Sequence, residues 1–297
     1  NGAVDWASNF AAGTGLPSWQ VANAALVYQQ VKEKYGNNIT LSGHSLGGGL
    51  ASVMATWFNR PAVVFDEAPF QPTAANPVML ALVRAQLLLK GYSDAAMDSA
   101  IIDFSSREAQ VANHYLQGEI LNALRFDANT VAGSDTRIDI NGSEAGAVQL
   151  HSLALLAAAR MSESFRLATY ASTSVVPLIM SDKLYAYNTG TSIEKNFLVD
   201  LIRSEQSSVV GQGKLTHFAA DLNKLGTNIA GLNVAAQNAI IAQGIEWYYW
   251  QTNNYTGQEF FTKTGELLQY TSAIAEGLTS AQNRAGNYTR TWLDTAY

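Results

Sequence analysis

The sequence predicts an α/β protein: a mostly parallel sheet with flanking helices in the N-terminal half, followed by a mostly helical C-terminal region. Three observations carry this. Helical and strand-like segments alternate from Ser18 to Phe65, a Gly-x-Ser-x-Gly pentapeptide stands at the first strand-to-helix turn, and beyond about Ser152 Ala-rich and Leu-rich helical runs take over.

The elements follow in order. Val21, Ala25, Val27, Tyr28 and Val31 recur at helical spacing between Ser18 and Tyr35, and Gly36-Asn37-Asn38 supplies the stop. Ile39-Thr40-Leu41-Ser42 reads as a short buried strand, punctuated by Gly43. Leu46 to Phe58 reads as a helix with small residues on its first turns. Pro61 to Phe65 is an apolar run bounded by Pro61 and by Asp66-Glu67-Ala68-Pro69, the pattern of a buried parallel strand. Helical patterns cover Asn76 to Leu89 and Ser93 to Ile102, and His114 to Leu121 reads as a third strand. Further on, Ile193 to Arg203 and Leu232 to Trp250 are predicted helices, with Thr189-Gly190-Thr191 and Gly211-Gln212-Gly213 as connections. The predicted organisation is a core over residues 1–160 and a mostly α-helical region over 161–297. No repeat, low-complexity tract or charge block interrupts it.

Composition narrows the function. With 297 residues and 47% hydrophobic content the chain can bury a large core. A net charge of -6 with only 18 Lys and Arg leaves little material for tracking phosphates, so nucleic acid is not an expected partner. The chain has no Cys, which excludes disulfides and thiolate-based metal or redox sites. No run reaches the roughly 18 to 20 apolar residues of a membrane-spanning helix, and no loop has the spacing of a recognised calcium motif.

Gly43-His44-Ser45-Leu46-Gly47 is the segment that carries chemistry. Between a strand and a helix, a Ser in this pattern adopts strained backbone angles so that its hydroxyl projects above the sheet, and small neighbours such as Gly43, Gly47 and Gly48 prevent clashes. The helix begins at the Ser, so the Leu46 N–H points at an oxyanion on an attacked carbonyl. Ser45 needs a base, and the sequence offers His44, His114, His151 and His217. His44 flanks the nucleophile and is expected to point away from it. In a hydrolase of this chain order the His comes last, which favours His151 or His217. His151 opens the run Ser152-Leu153-Ala154-Leu155-Leu156 after a Gly-containing loop, whereas His217 lies inside a helical stretch. The acid comes between Ser and His in chain order. Glu119 and Asp66 stand at predicted strand ends, and Asp127, Asp135 and Asp139 are further choices.

The segment from Ile39 to Pro69, centred on Leu41-Ser42-Gly43-His44-Ser45-Leu46-Gly47-Gly48, resembles bacterial relatives of the class 3 lipases, and Asp5-Trp6 with Asn9-Phe10 resembles the stretch after their oxyanion loop. The resemblance covers roughly the first 155 residues. It implies an α/β-hydrolase fold and carboxylic ester hydrolysis, often of acylglycerols or phospholipids, with no cofactor or metal. It supports His151, because the family places its His in a similar loop-to-helix position. The family usually has an Asp where Glu119 stands, and a related branch of animal lipases uses an acid after the strand that ends at Asp66. Ser45, His151 and Glu119, with Asp66 as alternative acid and Leu46 as oxyanion donor, are the expected site.

In that family the strand and loop with a second oxyanion donor precede the Asp-Trp segment. The expectation is therefore a core lacking its first strand, with a separate N-terminal fragment as one source of the missing parts. The C-terminal helices resemble those following lipase-like regions of large secreted bacterial proteins, and with the absence of Cys this implies an extracellular or cell-surface location. Two other readings stay open: a non-catalytic scaffold used for binding or assembly, and an acyl transferase or thioesterase on the same residues.

Overall fold

In the computed structural model the described residues are 18–122, 134–181, 184–188, 193–209 and 211–254. The chain divides into two compact units, Asn1–Ile138 with Leu150–Leu156, and Asp139–Gln149 with Ala157–Tyr297. Among the described residues no helix is long and apolar enough to cross a membrane.

The first unit opens with α1 (Ser18–Tyr35), then β1 (Leu41–His44), α2 (Leu46–Phe58), β2 (Ala62–Phe65), α3 (Gln71–Ala74), α4 (Pro77–Leu89), α5 (Phe104–Glu108), β3 (Val111–Leu116) and β4 (Ser134–Ile138). The four strands form one sheet in the order β1-β2-β3-β4, and every pairing is parallel. The predicted α/β class with a parallel sheet and helices is what the chain adopts.

Several boundaries differ from the sequence reading. The first strand is Leu41–His44, two residues later than Ile39 to Ser42, because pairing begins where the Leu41 N–H meets the Pro61 carbonyl at 3.0 Å and runs on to His44 opposite Phe65. The third strand is Val111–Leu116 rather than His114 to Leu121. Gly118, at φ +84°, ends the extended chain in a conformation that a side chain disfavours. Ser93 to Ile102 holds a single 3-10 turn, Ala95–Asp98, in which Asp94 Oδ1 accepts the Ala96 N–H. Strand β4 has no counterpart in the sequence reading: it lies at the end of the described sheet, and its Asp135, Thr136 and Arg137 are polar and exposed, so no apolar alternation marks it.

Small residues let α2 lie close on the sheet. Ala51 and Ala55 pack with Ala62, Val64 and Val111, while Val63, on the other face of β2, keeps 37% of its surface exposed. Large residues of α2 belong to the main core. Trp57 and Phe58 are fully buried there with Val21, Tyr28, Leu80, Val83 and Leu87. Tyr28 stacks on Phe58 with ring centroids 4.0 Å apart, and Trp57 Nε1 donates to the Ala74 carbonyl at 2.9 Å. Helix α4 starts where predicted because Asn76 Oδ1 caps the N–H groups of Val78 and Met79 and Pro77 needs no donor.

The end of α2 is held by a buried cation. Arg107 is 4% exposed; its Nη1 donates to the carbonyls of Thr56 (3.0 Å), Trp57 (3.1 Å) and Ala96 (2.7 Å), and its Nη2 to Ser99 Oγ and Asp103 Oδ2. Two of these carbonyls belong to the last turn of the helix and have no partner within it.

The second unit contributes most of α6 (Ala147–Leu150) and part of α7 (Leu153–Met161), then α8 (Glu163–Ala168), α9 (Val175–Ile179), β5 (Tyr185–Asn188), β6 (Ile193–Asn196), α10 (Phe197–Gln206), α11 (Lys214–Asn228) and α12 (Val234–Asn254). The predicted helix from Ile193 to Arg203 is thus a strand followed by a helix. Ile193, Phe197 and Leu201 have helical spacing, but residues 193–196 pair antiparallel with Tyr185–Asn188, and that ladder outweighs local periodicity. Phe218 on α11 meets Phe197 and Tyr248 edge to face, at 5.4 and 4.9 Å, so these aromatic residues are core packing. Glu205 accepts the Thr216 N–H and hydroxyl at 3.0 and 2.7 Å, placing negative charge at the first turn of α11. Asp5-Trp6, Asn9-Phe10, Asp127, the Thr189-Gly190-Thr191 connection and Phe260-Phe261 lie outside the described residues, as do the side chains of Trp247 and Trp250.

Replacing Arg107 by Met keeps the bulk of the side chain but strands buried carbonyls. Urea unfolding followed by Trp fluorescence is expected to show a loss of about 3 kcal/mol, in the range for unsatisfied buried acceptors.

Candidate active site

The C-terminal ends of the parallel strands converge, and the residues just beyond them form the site. β1 runs into Ser45, whose φ of 57° and ψ of -125° lie outside the favoured regions for an L-residue. Three backbone hydrogen bonds hold it there: the Ser45 N–H donates to the Phe65 carbonyl at 3.0 Å, and the Ser45 carbonyl accepts from Ala68 (3.0 Å) and Gly49 (3.1 Å). The turn is tight enough that a Cβ on Gly43 would sit 2.2 Å from the Gly47 carbonyl oxygen. Cβ atoms on Gly48 and Gly49 would meet Glu67 Cβ at 2.9 Å and the Ala68 carbonyl oxygen at 2.8 Å. Of the three glycines singled out in the sequence, Gly43 and Gly48 are required by close approach, whereas Gly47 has open space around it.

β3 leads to a carboxylate. After Leu116 the chain turns through Gly118, and Glu119 comes back beneath the site, 2% exposed. Its Oε2 accepts the Leu121 N–H at 2.8 Å and lies 2.7 Å from His151 Nδ1. His151 sits in the turn between α6 and α7, and its Nε2 is 2.8 Å from Ser45 Oγ. The structure therefore brings Ser45, His151 and Glu119 into one continuous line of contacts. His114 lies within β3 with its ring against Phe65 at 5.8 Å, and His217 lies within α11 of the second unit.

Asp66 is placed differently. It follows β2 at φ +43°, is fully buried, and accepts the Leu116 N–H through Oδ1 at 3.2 Å. Its Oδ2 has no hydrogen-bond partner and lies 3.6 Å from His44 Nε2. Burial pushes its carboxyl above the usual carboxylate range, the charge of Glu119 adds to this, and the neighbouring His44 and His151 oppose it. Asp66 thus lies behind His44, while the ring of His151 is held by Glu119.

His44 is the residue whose placement the sequence did not convey. It points away from Ser45, and its Nε2 donates to the His151 carbonyl at 3.0 Å. The sequence showed its position beside Ser45 and led to the expectation that it points away, but not which group it reaches. Buried Glu67, which accepts from Ser52 Oγ on α2 at 2.5 Å, also went unmarked.

His44, Asp66 and His151 present atoms that could ligate a metal, all within 4.8 Å of one another. Both nitrogens of His151 face Glu119 and Ser45, and His44 Nε2 faces a carbonyl. A metal there would have to displace the contacts just described. The arrangement suits proton transfer between a hydroxyl and an imidazole held by a carboxylate.

Comparison with known proteins identifies the family. A family model described as phospholipase-like, a Tle-like phospholipase domain, matches residues 1–172. An extracellular phospholipase A1 of Serratia liquefaciens is 38% identical over 64 residues, which is 22% of this chain and 20% of that protein. The chain therefore matches about a fifth of that relative's length. No solved structure matches the chain.

The buried Asp66 makes stability depend on pH in a definite sense. Its folded-state pKa lies above the ordinary value of 3.8, so the stability it contributes is complete below that value and is lost as pH rises through the folded pKa. Asp66→Asn removes this loss. Urea midpoints measured from pH 4 to pH 8 are expected to move in the variant's favour relative to the parent as pH rises, and no relative change would contradict the assignment.

Proposed function

The chain belongs to the Tle-like phospholipase domain family, and from that premise we propose that it hydrolyses the carboxylic esters of lipids through an acyl-enzyme on Ser45. One observation carries the reading: the line of contacts from Glu119 through His151 to Ser45, at 2.7 and 2.8 Å. Within the family we read the first unit as an α/β-hydrolase, similar at its elbow to the class 3 lipases. A phospholipid acyl ester is the substrate class that the family and the Serratia relative support. The relative's name also supports an extracellular or cell-surface location.

Neutral His151 takes the proton of Ser45 Oγ at Nε2 as the oxygen attacks the ester carbonyl carbon. Glu119 fixes the tautomer with the proton on Nδ1 and stabilises the imidazolium. The carbonyl oxygen gains negative charge facing the N-terminus of α2, where the Leu46 N–H donates to it. Collapse of the tetrahedral species breaks the ester C–O bond, and His151 gives its proton to the departing alcohol. A water molecule then attacks the acyl-Ser45, again losing its proton to His151. The fatty acid leaves as Ser45 recovers its hydrogen.

Ser45→Ala is expected to abolish fluorophosphonate labelling and to reduce hydrolysis of a soluble p-nitrophenyl ester by at least about a thousand-fold. Undiminished hydrolysis by that variant sinks the proposal. Glu119→Gln is expected to lower kcat by about a hundred- to ten-thousand-fold; a larger loss in Asp66→Asn than in Glu119→Gln would transfer the role of triad acid to Asp66. Fatty acid release from phosphatidylcholine vesicles, against triacylglycerol emulsions, tests the head group.

A further inference from the structure

We infer that His44 is a positioning residue for the base: it holds the main chain of His151 through its carbonyl, with the buried Asp66 behind it. The inference rests on the reading of His151 as the base for Ser45.

The side chain and the main chain of His151 are held by different partners. Glu119 holds Nδ1 and thereby fixes how the ring is turned. That bond alone does not fix where the ring is, because residue 151 occupies a turn and not a helix or strand. The bond from Nε2 to Ser45 Oγ, 2.8 Å long, cannot serve as a permanent anchor, since the proposed reaction breaks it in every cycle. A side-chain contact on the main chain of residue 151 is the His44 Nε2–H to its carbonyl, at 3.0 Å. It transfers no proton in the reaction and can persist throughout.

Its placement in the chain adds to its effect. His44 and Ser45 are adjacent, and both ends of this pair reach residue 151: one through the hydroxyl and the ring, the other through the imidazole and the carbonyl. The pair and residue 151 form a closed loop of short contacts, so the nucleophile and base are kept at a common distance. His44 itself is anchored as the last residue of β1, paired with Phe65. The two imidazole rings lie 4.8 Å apart at a tilt of 41°.

Asp66 explains why His44 points this way. Its unpartnered, fully buried Oδ2 is 3.6 Å from the same Nε2. Two oxygens, one of them on a carboxyl group, thus face this nitrogen, and that environment favours a proton on it. A nitrogen that carries the proton can donate to the His151 carbonyl, whereas a lone pair in the same place would repel it.

His44→Ala is expected to lower kcat and the rate constant for fluorophosphonate labelling by about ten- to a hundred-fold, the scale of a small misplacement of a reacting group, with KM little changed. His44→Gln, whose side-chain N–H can extend to the same carbonyl, is expected to recover most of that rate, and His44→Asn, one methylene shorter, is not. Thermal unfolding of all three is measured alongside, because a merely structural role would make rate track stability and not the ability to donate. Equal labelling rates for His44→Ala and the parent overturn the inference while leaving the hydrolase reading intact. So does a Gln variant as slow as the Asn variant at similar stability. Absence of Ser45 labelling in the parent overturns both. Should His44→Ala fail to fold, the Gln and Asn pair decides.

Discussion

Everything at the site depends on Ser45 being held in a backbone conformation that L-residues avoid. A residue at φ 57° and ψ -125° carries a cost of about 1–3 kcal/mol, and the chain around it offsets this locally. The N–H of Ser45 extends the β1–β2 ladder by one more bond, and its carbonyl collects two donors, one from α2 and one from the segment after β2. Gly43 must lack a Cβ for the first turn of α2 to close over it. Strand, turn, helix and next strand are thus one mechanical unit, and the hydroxyl is its outward product.

The same unit explains why carboxyl groups gather near Ser45. Parallel strands end in register, so the residues that follow them converge: Ser45 after β1, Asp66 and Glu67 after β2, and Glu119 after β3. Three carboxyl groups are buried within this small region, and each has been given different company. Glu119 faces an imidazole and a backbone N–H, Glu67 accepts from Ser52 on α2, and Asp66 takes one N–H and leaves an oxygen towards His44. Burial raises the cost of charge wherever compensation is incomplete, which is the condition of Asp66.

Support for α2 comes from both ends. Its first turn is pressed against Glu67 and Ala68 where the glycines allow it, and its last turn is tied by Arg107. Between them, Ala51 and Ala55 pack with strand residues and Trp57 and Phe58 belong to the main core. A helix clamped at each end cannot easily rotate, so the N-terminal amide groups remain aimed at the position above Ser45.

Local features were legible in the residues alone. Gly43 to Gly48 announces the elbow, because its requirements are steric and confined to a few neighbours, and α1 and α2 are found with the bounds their periodicity implies. The polar edge strand β4 carried no such pattern. The hairpin strand at Ile193 was masked by an apolar spacing that also suits a helix. Chain order and strand ends put Glu119 first and Asp66 second as the expected acid, with Asp127, Asp135 and Asp139 as further choices. The first two both follow a strand, and nothing along a linear chain records the direction in which a side chain finally points. The three-dimensional arrangement sets the two apart: after Gly118, Glu119 lies 2.7 Å from Nδ1 of His151, while Asp66 lies 3.6 Å from Nε2 of His44. Hydrogen bonds act over about 3 Å, so partners 32 and 106 residues apart in sequence are decided by the sheet's register and the turns at its edge.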